Sequence, residues 1–405
     1  MKIGGFANGR LWLVAGVVLL NGIGMTIVFP LIPFLIGKYL PASQVVVGMS
    51  VFASVYALCA FIAAPFLGAI SDRKGRKIVL VISLLGSVAG YILLGVGGAL
   101  WVLFLGRIID GLTAGNISTL FAYIADSTKP ADRTKWFGYV GGAMGIGTMI
   151  GPAIGGALSV ISISAPFFVT AGILAVCTFV TCFFLPESLP PANRSMILSL
   201  KNLNMFIGLR DLFSIKNVKD LFLIGGFFYA SLEAYQFNFS IFAKDIYLWG
   251  PAVIGAMLSI AGICDIGSRA LLLPLLLRKH SEETIGTFGL LGLCAGLACL
   301  LLSFFVSSIC LVAFAIICIT FGEGLFDPTY NGRLSNSVKE VDQGKLQGVN
   351  QSLQSAYRVI VPIVAATIYY FGSYILYIVA TFAAMSALAL FLKFRFRNLS
   401  GNKGQ

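Results

Sequence analysis

Gly68-Ala69-Ile70-Ser71-Asp72-Arg73-Lys74-Gly75-Arg76-Lys77 is a short, strongly charged stretch set between two long apolar runs, Val45 to Ile70 before it and Ile78 to Val96 after it. Runs of that length span a bilayer. Arg73, Lys74, Arg76 and Lys77 crowd into five positions and so mark a cytoplasmic turn between two membrane spans. Gly68 and Gly75 are expected to let two helices approach and turn tightly, and Asp72 to receive a helix N-terminus or a basic partner.

The rest of the composition agrees. The 405-residue chain is 58% hydrophobic and only 11% charged, with Gly 46 and Phe 33, which is too little polar surface for a soluble protein of this size. A net charge of +12 would suggest nucleic acid in a soluble chain. Here the cations sit in short loops at regular intervals, and nucleic acid is excluded as a partner. The eight cysteines all lie inside apolar runs without paired spacing, so neither disulfides nor a metal site is expected. Leu11 to Ile36 follows Met1 to Arg10 with no small-residue cleavage site, and reads as a retained first helix.

Apolar segments fall near 11–36, 45–69, 78–97, 99–125, 136–160, 164–185, 220–243, 250–277, 284–305, 307–329, 346–370 and 372–392. The fold class is therefore an all-α polytopic membrane protein of twelve helices. A polar interval at 189–219, with Pro190, Pro191, Arg194, Lys201, Arg210 and Lys216, separates a half at 1–188 from a half at 220–405. With both termini cytoplasmic, only Lys38 and Lys244 fall outside, and Arg107, Arg269 and Arg358 lie within spans. Every other Lys and Arg is then inside, as the positive-inside rule requires of a cell (inner) membrane protein.

Glycine and proline concentrate in helix 1 (Gly22, Gly24, Pro30, Pro33) and helix 5 (Gly141, Gly142, Gly145, Gly147, Gly151, Pro152, Gly155, Gly156). Such residues permit close packing and bending in hydrocarbon. The chemically informative set is Asp110, Glu233, Asp265, Glu323 and Asp327 with Arg107, Arg269 and Arg358. An unpaired charge costs roughly 2.5–3.5 kcal/mol at the bilayer centre, so these groups line a water-filled cavity or pair between helices.

Arg107 and Asp110 share a face of helix 4, and Asp265 and Arg269 a face of helix 8. Glu323 and Asp327 repeat the spacing as two acids, which favours a shared proton. The competing structural reading pairs either acid with Arg358 or a cytoplasmic cation. Around Glu233, the residues Tyr229, Tyr235, Gln236 and Asn238 mix aromatics with amides, as suits a cavity for a largely apolar solute. By depth, at ~1.5 Å per residue, Arg107 and Arg358 approach the midplane. Asp110 and Glu233 rank first as solute or proton sites, with Asp327, near a cytoplasmic end, assigned to an inner gate.

These motifs resemble the major facilitator superfamily, in particular its twelve-helix drug:proton antiporters and the tetracycline-efflux branch. Gly68 to Lys77 resembles the loop G-x-x-x-D-R-x-G-R-K, and Leu105 to Gly111 the helix 4 element R-x-x-x-G. Gly147 to Gly156 resembles the antiporter motif ending G-P-x-x-G-G, and Leu185-Pro186-Glu187-Ser188 the usual close of helix 6. The resemblance implies alternating access between two halves, with Gly68, Asp72, Arg73, Gly75 and Arg76 forming a conformational gate. It also implies proton exchange linked to Arg107, and bending and packing points at Gly151 and Pro152 within the antiporter motif formed by Gly147, Gly151, Pro152, Gly155 and Gly156.

Asn21 stands where the tetracycline branch carries an acid, and Asp265 and Arg269 stand where it has neutral or imidazole groups. If the chain is proton-driven, Asp110, Glu233 or Asp265 must take the role that Asn21 cannot.

The expected function is export of small amphipathic or hydrophobic compounds against protons. Asp110, Glu233, Arg107 and Asp265 are the coupling candidates. The cavity candidates are Asn21, Tyr229, Tyr235, Gln236, Asn238, Arg269, Glu323 and Arg358. Uptake of an organic anion with protons is the main alternative, then a lipid headgroup substrate. A nontransporting sensor or an enzyme has little support: one histidine, no phosphate-cradling loop and no arranged nucleophile occur, and no cofactor is expected. The expected partners are a small-molecule substrate, protons and the lipid bilayer, the protein acting as a monomer.

Overall fold

The computed structural model describes residues 3–190, 216–338 and 343–401. Of the interval expected to link the halves, residues 191–215 lie outside this set, as do the extreme ends 1–2 and 402–405, whose side of the membrane was read above. The described chain is helical and, within these residues, contains no strand.

Helix 1 is Ile3–Thr26, resumed after a turn as Ile32–Ile36; helix 2 is Ala42–Lys74, helix 3 Arg76–Val96, and helix 4 the pair Leu100–Leu112 and Asn116–Ser127. Helix 5 (Pro130–Leu158) and helix 6 (Ala165–Phe184) follow. Helix 7 is Lys216–Tyr247, and helix 8 runs from Pro251 to Leu277 through a π-turn at Ser268–Leu272. Helices 9 to 12 are Glu282–Leu302, Ile309–Ser335, Gln343–Phe371 and Ser373–Gly401.

Among the described residues, 10 helices are long and apolar enough to cross a membrane by length and composition. Helices 7 and 11 fall short of that measure because each carries polar side chains mid-span, Glu233 and Gln236 in one and Gln354 and Arg358 in the other. At 32 and 29 residues both are long enough to cross at ~1.5 Å per residue. Trp101, Val160, Phe183 and Phe382 are largely exposed, the pattern of a surface that meets lipid.

The charged turn is tighter than the sequence suggested. Ser71 to Lys74 are still helical and helix 3 begins at Arg76, so a single residue makes the turn. Gly75 has φ 110° and ψ 158°, a conformation in which a Cβ is strained, and its N–H closes helix 2 on Ser71 O at 3.0 Å. Gly68 is different: a Cβ there would meet nothing within 4 Å, so the close approach expected at Gly68 is not made.

The residues form two compact units. The first takes Met1–Lys201 together with Trp249–Ser259, the second Asn202–Leu248 together with Ile260–Gln405. In the first, Gly147, Gly151 and Gly155 stand every fourth residue along helix 5 and face the backbone of helix 1. A Cβ on Gly151 would lie 2.8 Å from Ile23 O, and one on Gly147 would lie 3.0 Å from Ile23 N. Gly156 meets the opening turn of helix 8 instead, its Cβ position 2.7 Å from Pro251 O, and Ala153 N–H donates to Ser259 Oγ at 3.0 Å. The expected packing role of the helix 5 motif is thus divided between two neighbours. In the second unit, Gly289 and Gly322 give helices 9 and 10 a similar close crossing, while Phe228, Phe326, Tyr330 and Phe391 stack into its core.

Replacing Gly155 by Leu is expected to lower the stability of the detergent-purified protein by about 1–3 kcal/mol through overpacking. Gly141→Ala, whose Cβ would meet nothing within 4 Å, is expected to leave the thermal midpoint unchanged. Thermal melts of the two variants check the contrast.

Candidate functional site

In the first unit the charges are closed on one another. Arg107 and Asp110 on helix 4 are both buried and pair at 3.6 Å. Ser87 on helix 3 donates to Asp110 Oδ1 at 2.7 Å. The Arg107 guanidinium lies over Phe52 and Tyr56 of helix 2, 4.7 and 5.2 Å from the ring centroids. Tyr91 ties this cluster to helix 1 by donating to Gly24 O at 3.0 Å. Asn21 is buried on helix 1, its Oδ1 without a hydrogen-bond partner among the described residues.

At the charged turn, Arg76 binds two carboxylates from different helices. Its Nη1 reaches Asp72 at 2.5 Å and its Nε reaches Asp126, at the end of helix 4, at 2.9 Å. Glu187, just past helix 6, accepts from the N–H groups of Arg76 and Lys77 at 2.8 and 3.2 Å, and so caps the first turn of helix 3. Asp126 and Glu187 were not singled out from the sequence, although the Leu185-Pro186-Glu187-Ser188 motif contains one of them.

The second unit holds a cavity of about 230 Å³ whose lining includes Tyr229, Glu233 and Gln236 of helix 7, Arg269 of helix 8, Glu323 and Asp327 of helix 10, and Arg358 of helix 11. Arg269 is its hub: Nε reaches Asp265 at 2.7 Å, Nη1 reaches Asp327 at 3.0 Å and Nη2 reaches Glu323 at 3.6 Å. Asp327 also accepts from the Tyr229 hydroxyl at 2.7 Å and from Asn331 Nδ2 at 2.9 Å. Gln236 Nε2 donates to Glu323 at 3.3 Å. Arg358 pairs with Glu233 at 3.2 Å, its side chain 60% exposed.

Several expectations are corrected by this geometry. Arg358 engages Glu233 rather than Glu323 or Asp327, because the i,i+4 acids of helix 10 are drawn to Arg269. Asp327, read as a gate residue, lines the cavity beside Glu323. Tyr235 and Asn238 do not line it: both are buried, and Asn238 spends its amide on Ala234 O at 3.0 Å, one turn back in its own helix. Gln354, not among the cavity candidates drawn from the sequence, lines the cavity and donates to the Tyr229 hydroxyl at 3.0 Å. The run of amides Asn350, Gln351 and Gln354 in helix 11 was the signal that would have found it. Among the described residues, no three His, Cys, Asp or Glu side chains are placed to hold a metal ion.

The family model of the Major Facilitator Superfamily matches residues 14–362. The chain belongs to that superfamily. This facilitator is 32% identical over 355 residues, 87% of this chain and 88% of the other, to the tetracycline resistance protein, class D, of Salmonella ordonez. It is 27% identical over 373 residues, 91% of this chain and 90% of the other, to multidrug resistance protein 2 of Bacillus subtilis (strain 168). Among solved structures, the nucleoside transporter NupG superposes with a TM-score of 0.78 at 14% identity, covering 95% of this chain and 99% of that one, a likeness of fold alone. The facilitator is thus an integral membrane transporter of small molecules rather than an enzyme.

Because Arg76 uses two separate nitrogens on two carboxylates, Arg76→Lys is expected to lower transport by about tenfold despite keeping the charge. Efflux assays in everted vesicles at matched protein level check this; full activity in the lysine variant would show that the paired geometry is dispensable.

Proposed function

We propose that this facilitator is a proton-coupled antiporter that exports small amphipathic or hydrophobic compounds by alternating access between halves at 1–188 and 220–405. It works as a monomer in the cytoplasmic membrane with both termini inside. The observation that carries the reading is a count of charges. Among the described residues, the cations paired with Glu233, Asp265, Glu323 and Asp327 are Arg269 and Arg358, so with every group ionised this set in the second unit holds two more negative charges than positive. Carboxylates crowded beyond the cations that face them favour uptake of protons or of a cationic solute. Competition between those two for the same carboxylates is antiport.

The Arg107–Asp110 pair has no such surplus: one guanidinium meets one carboxylate that also accepts from Ser87. This moves Glu323 and Asp327 ahead of Asp110 as sites of proton exchange, with Glu233 and Asp265 in the same set, and leaves Arg107 and Asp110 to tie helices 2, 3 and 4 together. The surplus also weighs against the organic-anion alternative, since both arginines already serve carboxylates. The names of the relatives, tetracycline resistance and multidrug resistance proteins, favour export. The Tyr229 ring and Leu232 in the cavity lining offer apolar contact to a solute.

The test uses proteoliposomes with an imposed pH gradient and a panel that includes ethidium and tetracycline. Glu323→Gln is expected to cut gradient-driven accumulation by about tenfold or more while sparing solute exchange without a gradient. Asp110→Asn is expected to reduce both together. Undiminished gradient-driven transport in both Glu323→Gln and Glu233→Gln would sink the assignment.

A further inference from the structure

Arg269 reaches its carboxylates from a distorted stretch of helix 8. Ser268–Leu272 forms a π-turn, which takes one extra residue into the turn and rotates the side chains beyond it relative to an unbroken α-helix. Ser268, the first residue of that turn, is wholly buried and donates its hydroxyl to Asp265 O at 2.8 Å. Its side chain stands against Gly324 of helix 10. A Cβ built on Gly324 would overlap Ser268 Oγ, lie 2.8 Å from Ser268 Cβ and come within 3.5 Å of Arg269 Cγ. Gly324 follows Glu323 directly and precedes Asp327 by three residues, so this contact sets how near the helix 8 guanidinium comes to the helix 10 carboxylates. Ser268 is wholly buried, and an added methyl would press on its Cβ as well as its hydroxyl, so turning the hydroxyl alone does not relieve the contact and the helices must part.

We infer that Gly324 is a positioning residue for Arg269: its bare Cα receives the Ser268 side chain, and that seat holds the guanidinium among Asp265, Glu323 and Asp327. The meaning for transport rests on the cavity reading above; the positioning itself does not.

The experiment is site-resolved phenylglyoxal labelling of the full chain in nanodiscs, read by peptide mass spectrometry. Arg269 in Gly324→Ala is expected to label about tenfold faster than in the wild type as it leaves its carboxylates. Gly324→Ala combined with Ser268→Gly, which removes the clashing atoms, is expected to return the rate to within about twofold of wild type. Arg358, held by Glu233 between helices 7 and 11, is the internal reference and should not respond. If Gly324→Ala is not recovered folded, Ser268→Thr presses the same contact more gently and is expected to speed Arg269 labelling about threefold. A wild-type rate in Gly324→Ala or Ser268→Thr, or a double variant as reactive as Gly324→Ala, would overturn the inference. Arg269→Gln in the ethidium and tetracycline assay separates the two readings. Wild-type transport there, alongside the expected labelling, would defeat the cavity reading alone. Lost transport with unresponsive labelling would defeat the positioning alone.

Discussion

Hydrocarbon cannot solvate a charge, and that constraint orders the ionisable side chains within each half of this transporter. Arg107 is matched to Asp110, and Arg358 to Glu233. Arg269 is shared by three acids. The first two arrangements can be neutral without help. The third cannot, and the proposed cation exchange rests on that imbalance. The helix 4 pair, with the Arg107 guanidinium over the Phe52 and Tyr56 rings and Asp110 accepting from Ser87, shows a different arrangement: one cation set against one acid between packed helices.

Between helices, lipid supplies no hydrophobic force, since a lipid tail is as apolar as a leucine. Association then depends on how closely backbones approach. Helix 5 against helix 1, and helix 9 against helix 10, use glycine at the crossing for this reason. The same device recurs at Gly324, where the partner is a serine beside the cavity-lining Arg269. Packing and chemistry meet there: the small residue that permits contact also sets the reach of the guanidinium.

Much of the fold was legible because the bilayer imposes a coarse and repetitive code. Apolar runs of fixed minimum length, cations returned to one side, and the glycine and proline pattern of helix 5 led to the helical plan and to the superfamily. Boundaries were less legible. Helix 2 runs on through Lys74 because a charged last turn can stay helical in water, and the single break at Gly75 depends on a φ of 110° that residue type permits but does not demand. The break in helix 4 at Thr113 to Gly115 left no comparable mark in the apolar pattern.

For the site, the sequence by itself determined which residues had to be kept from lipid: eight ionisable groups inside apolar spans must pair or line a cavity, and local spacing paired Arg107 with Asp110 and Asp265 with Arg269. Only the tertiary structure decided the partners between helices. Arg269 rather than Arg358 collects the helix 10 acids, Asp327 faces the cavity, and Tyr235 and Asn238 turn into the packed interior. The reason is geometric. Spacing along one helix fixes which side chains share a face, but which face meets which neighbour depends on rotations set by distant contacts such as Ser268 on Gly324, and no local pattern encodes those.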